Sequence, residues 1–147
     1  MLKFLVVYAI IHKNKYFDEP IDAMIYMVVA ALGFALVENI AVVAVAKNIP
    51  DAVGTLTLRF VGATLLHALS SGIIGYYWAK SIIHKKTLKF LITIILGILI
   101  ASVIHAAFNY LIVAIKDVII YPTLFLIVVA LIVFWDFEKI KKEEAAQ

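Results

Sequence analysis

No cysteine occurs anywhere in the chain, which excludes disulfides, thiolate metal ligands and thiol nucleophiles. No internal repeat, low-complexity linker or HExxH pair is present either. The short apolar start, residues 2–12, lacks the polar region and small-residue cleavage site of a secretory signal peptide. The net charge of +3 is not a nucleic-acid signature, because the lysines cluster at the ends of apolar runs, where they anchor membrane segments.

What fills the chain is hydrocarbon. Hydrophobic residues make up 65% of the 147, against about 45–50% in a soluble domain, and mean hydropathy is +1.08. Four runs, 23–46, 56–83, 88–115 and 118–135, are long enough to cross a bilayer, which takes about 20 residues. Residues 2–12 reach only about half that span. The expected fold class is therefore all-α, a polytopic transmembrane helical bundle with four full spans plus one N-terminal partial helix. Residues 1–137 read as one membrane domain and 138–147 as a short charged tail. Lys13, Lys15, Lys80, Lys85, Lys86, Lys89, Lys139, Lys141 and Lys142 fall on one side and only Lys47 and Lys116 on the other. The positive-inside rule puts the first set and the C-terminus in the cytoplasm of a multi-pass cell-membrane protein.

Polar residues interrupt these runs at matching depths. Counted from the cytoplasmic helix ends at about 1.5 Å per residue, Glu38 lies roughly 24 Å above Asp22, His67 roughly 20 Å above Lys80 and His105 roughly 24 Å above Lys89. Small and polar residues also recur on single helix faces: Arg59, Ala63, His67, Ser71 and Gly75; Gly97, Ala101, His105 and Asn109; Ala31, Ala35, Glu38 and Ala41. Small residues let membrane helices approach, and ionisable ones avoid lipid by facing the bundle interior, so the three ridges are expected to face one another. A lone His or Asn is equally readable as interhelical glue, and Arg59 as a residue snorkelling to the outer interface. Glu38 is different. A charge at mid-helix costs about 2.5–3.5 kcal/mol on insertion scales, so this carboxylate needs a partner or a role.

The ordered pattern DAMIYMVVAALGFALVEN (Asp22, Glu38, Asn39), RFVGATLLHALSSG (Arg59, His67, Ser70, Ser71) and HAAFN (His105, Asn109) resembles the PrsW intramembrane proteases. These belong to the wider superfamily of CAAX prenyl proteases and bacteriocin-processing enzymes. The resemblance covers residues 2–110. It implies a multi-pass prokaryotic peptidase that cuts membrane-associated protein substrates, anti-sigma factors among them. It further implies that His67 assists a glutamate base, that His105 and Asn109 donate to the oxyanion, and that Glu38 and Asn39 orient the histidines or the water. In the family a glutamate pair precedes the lysine of an EExxK pattern; Lys3 fits that lysine, so the resemblance implies a reading frame that continues upstream of Met1 with two glutamates. The chain as written is then expected to fold but to be inactive or nearly so.

Three other readings stay open. Two histidines and a carboxylate suit zinc, with His67, His105 and Glu38 as ligands, although the metal-free glutamate mechanism is favoured and no cofactor is expected. The superfamily resemblance extends to a noncatalytic scaffold subunit. A proton-coupled transporter could use Glu38, His67 and His105 as a relay, but the paired broken helices and inverted repeat of such proteins are not evident.

Overall fold

The structure is a computed structural model describing residues 2–83, 87–115 and 118–146, without the side chains of 87–89. Its elements in chain order are α1 (Leu2–Ile11), α2 (Asp22–Val43), α3 (Ile49–Arg59), a π-helical turn (Phe60–Thr64), α4 (Leu65–Ile83), α5 (Thr87–Ala114) and α6 (Ile120–Ala145). Among the described residues, four helical stretches are long and apolar enough to cross a membrane: Asp22–Val43, Ile49–Ile83, Phe90–Ala114 and Ile120–Ala145. No strand occurs among the described residues. The all-α bundle of four spans and one short N-terminal helix is as expected.

Helix ends depart from the apolar runs for local reasons. The second span starts at Ile49, seven residues before the run at 56, because Asn48 caps it. Asn48 Oδ1 accepts from the Asp51 backbone N–H at 2.9 Å, and Pro50 in the first turn has no N–H to leave unpaired. At the other end of the chain, α6 runs past the apolar stretch to Ala145, so the charged residues continue the helix. There Lys80 Nζ donates to both carboxylate oxygens of Glu143, at 2.8 and 2.7 Å, tying the end of α4 to the end of α6.

α4 is the centre of the bundle and packs against α2, α5 and α6. Its residues are buried nearly all round, from Leu66 and His67 through Trp78 and Ala79. Gly75 marks the tightest crossing: a Cβ there would lie 2.5 Å from Met24 Cα and 2.7 Å from the Ala23 carbonyl oxygen. α1 lies against the same core, with the Phe4 and Tyr8 rings each 5.5 Å from that of Trp78. Phe17, in the loop after α1, stacks on Trp78 at 4.9 Å. The outer surface carries exposed Val37, Val103 and Phe134, the apolar coat a lipid-facing bundle needs.

These contacts gather the 12–21 loop and the C-terminal ends of α4 and α6 at one end of the bundle, with Lys13, Lys15, Lys80, Lys139, Lys141 and Lys142. Lys47 sits in the turn at the opposite end. Lys85, Lys86 and Lys116, used in the orientation argument, lie outside the described residues, as does the Lys89 side chain.

Candidate functional site

The polar residues that the spans carry meet in one group. On α2, Glu38 and Asn39 are neighbours, so their side chains diverge by about 100° around the helix. Both turn toward the second span. Arg59 Nη2 donates to Glu38 Oε2 at 2.7 Å, and Arg59 Nε donates to Asn39 Oδ1 at 2.8 Å. Asn39 Nδ2 in turn donates to Thr64 Oγ1 at 3.0 Å. One turn further along, His67 Nε2 stands 3.0 Å from the same Glu38 Oε2.

Lys3 completes the chain of contacts from α1. Its ammonium lies 3.1 Å from His67 Nδ1 and 4.3 Å from the centre of the Phe34 ring. An ammonium can only donate, so Nδ1 is the acceptor and the ring proton sits on Nε2, pointing at Glu38. His67 is thereby held at both nitrogens, with Phe34 edge-on to its ring at 5.3 Å. The carboxylate faces Arg59 and the His67 N–H, which answers its cost in lipid with a charged partner and a hydrogen bond.

His105 joins across α5, its ring 5.2 Å from that of His67. Asn109 follows one helical turn later, with Nδ2 3.4 Å from His105 Nδ1. Both line a groove of about 560 Å³ together with Lys3, Phe34, Ser70 and Ser71. Glu38 and His67 stand beside this groove rather than in its lining. The Ser70 hydroxyl is spent on the Leu66 carbonyl oxygen at 2.7 Å.

The expected ridges therefore meet, with one departure. Ala31 and Ala35 are buried on the Glu38 side of α2, but Ala41 is exposed. Asp22 does not join the group. It sits about 24 Å from Glu38 along α2, where Oδ2 accepts from the backbone N–H groups of Asp18 and Glu19 and closes the preceding loop. Thr64 is a member that sequence reasoning missed, and its only signal is its place three residues before His67 in GATLLH.

The zinc alternative fits this geometry poorly. Among the described residues no group of three His, Asp or Glu side chains is placed to hold a metal. Each His67 nitrogen already has a partner, and the Lys3 and Arg59 cations flank His67 and Glu38, where a dication would be repelled.

Residues 1–135 match the family described as PrsW family intramembrane metalloprotease. Protease PrsW of Geobacillus kaustophilus is 29% identical over 113 residues, 77% of this chain and 47% of that protein. Protease PrsW of Clostridioides difficile is 28% identical over 145 residues, covering 97% and 58% of the two chains. Protease PrsW of Bacillus subtilis is 27% identical over 128 residues, covering 86% and 55%. The chain spans about half the length of the curated relatives it matches. No solved structure matches it. The family match takes in every helix from α1 to α5 and more than half of α6, and with four membrane-crossing stretches the chain is a multi-pass membrane protein that belongs to the PrsW protease family.

Proposed function

We propose that this protein is an intramembrane peptidase that hydrolyses peptide bonds of membrane-anchored protein substrates, anti-sigma factors being one class, at the groove beside His67. The observation carrying this reading is the continuous polar chain Lys3–His67–Glu38–Arg59 within the bundle, abutting a groove lined by His105 and Asn109. A site meant only to glue helices does not need an open groove against its histidines. The family supports the same reading, and the lysine-rich end that carries the C-terminus is then the cytoplasmic side.

Hydrolysis needs a base for water, donors for the oxyanion and an acid for the leaving amine. In the family pattern the base is the acidic pair three and four residues before the lysine that Lys3 matches. Water gives its proton to that base while its oxygen attacks the substrate carbonyl carbon. His105 and Asn109 donate to the resulting oxyanion, and the proton returns to the leaving nitrogen. His67, held between Lys3 and Glu38, passes protons and fixes the charge balance around the base. Arg59 holds Glu38 in place and is itself held by Asn39. In this route an acidic base, rather than a metal, activates the water.

The complete gene product, co-reconstituted in liposomes with single-pass membrane proteins including an anti-sigma factor, is expected to generate new substrate termini detectable by mass spectrometry. The reading fails if no termini appear, or if the same ones persist in His67→Ala. Asn109→Ala is expected to lower kcat/KM by about 100- to 1,000-fold, the usual cost of one oxyanion donor. An unchanged rate would remove Asn109 from the chemistry. Strong chelation is expected to leave cleavage unaffected, and a loss restored by adding zinc back would overturn the metal-free route.

A further inference from the structure

We propose that the π-helical turn at Phe60–Thr64 decides which residue of the second span reaches Glu38, and that Asn39 is the positioning residue that holds this turn. The activity part of this proposal rests on the peptidase reading above; the register part does not.

Arg59 and His67 are eight residues apart, yet both bond the same carboxylate oxygen. In a regular α-helix of 3.6 residues per turn, eight residues overshoot two full turns by about 80°. The residue on the His67 face is then the one seven positions earlier, about 20° off, and that residue is Phe60. A uniform helix thus offers Glu38 a phenyl ring and swings the guanidinium away. The π turn takes up one extra residue, because its hydrogen bonds run from i to i+5. With that residue absorbed, Arg59 occupies the angular position that Phe60 would hold. Phe60 is accordingly turned outward, 68% exposed, into an apolar groove between α2 and the second span.

A π turn is rare and gives way to α-helix unless something holds it. Asn39 is placed to do that. Its Oδ1 accepts from Arg59, the residue just before the turn, and its Nδ2 donates to Thr64, the last residue within it. One buried amide from α2 therefore clasps both ends of the widened turn. Neither of its bonds goes to a histidine, so its influence on His67 runs through the register of Arg59.

The test exploits a property particular to a π turn: deleting one residue within it should convert it to α-helix without moving Arg59 around the axis. Val61, which is exposed on the outer surface, is the residue to remove. Four versions of the complete gene product are compared, the wild type, the Val61 deletion, Asn39→Leu and the two changes combined. Asn39→Leu is expected to lower cleavage by about 100-fold, the scale of an ångström-sized misplacement near a reacting group. Removing Val61 from the same chain should recover most of that loss, whereas a damaged fold only loses more from a deletion. Independently, a spin label at Phe60→Cys, simple to place in a chain without cysteine, reports exposure to lipid-dissolved oxygen. Exposure should be high in the wild type, fall in Asn39→Leu and return in the combined variant. If the label reads the same with and without Asn39, or the register shifts and cleavage does not, the proposal is overturned. If no chain cleaves any substrate, the peptidase reading fails while the label still decides the register.

Discussion

His67→Ala is expected to lower cleavage of a membrane-anchored substrate by about 100- to 10,000-fold, the range that a positioned acid–base group supplies. Two contacts vanish with the ring: Nδ1, which receives the Lys3 ammonium, and Nε2, whose proton faces Glu38. Lys3 and Glu38 then lose their link, and a proton has no route between them. The change makes α4 more apolar and smaller, so insertion into the membrane should be unaltered, as protease protection of the loops can establish. His67→Gln keeps one acceptor and one donor and should preserve the fold while failing to relay a proton, so its loss should approach that of alanine. Wild-type turnover in either variant would remove His67 from the mechanism.

Gly75→Ala is expected to be the most damaging single methyl group in the bundle. The added Cβ would lie 2.5 Å from Met24 Cα and 3.0 Å from Met24 N, and backbone atoms of a packed helix cannot rotate aside. α2 and α4 must separate, at a cost of about 1–3 kcal/mol or more. Since α2 carries Glu38 and Asn39 while α4 carries His67, the same displacement should depress activity as well as the melting temperature in detergent. Gly33→Ala is the matched control. Nothing lies within 4 Å of a Cβ at Gly33, and alanine exceeds glycine in helix propensity by about 0.8–1 kcal/mol, so that variant should be neutral or slightly more stable. Equal melting temperatures for the two variants would contradict the close α2–α4 crossing.

Some features of the site could be read from single positions. A carboxylate inside an apolar run is costly wherever the helix sits, so Glu38 marks itself. Rise per residue alone puts Glu38, His67 and His105 at one depth, and the structure brings them together. Asp22 shows the limit of pattern: it belongs to the motif but serves a loop at the far end of α2. The helix start at Ile49 was legible in Asn48, Pro50 and Asp51, a local capping signal obscured by the lower hydropathy of the first turn.

Hydropathy and length are sums over neighbours in the chain, and the four spans and the short α1 followed from them alone. The π turn did not, because a segment reading FVGAT has no property of its own that prefers i to i+5 bonding over α-helix. Asn39 and Thr64 stand 25 residues apart, and Lys3 and His67 stand 64 apart. Only when α1, α2 and α4 pack around Trp78 and Gly75 do those side chains come within hydrogen-bond reach. The amino-acid sequence thus determined which groups must escape lipid and at what depth. The partner each one found, and with it Arg59 rather than Phe60 beside Glu38, was decided by contacts between helices, which depend on angle and register that local composition does not encode.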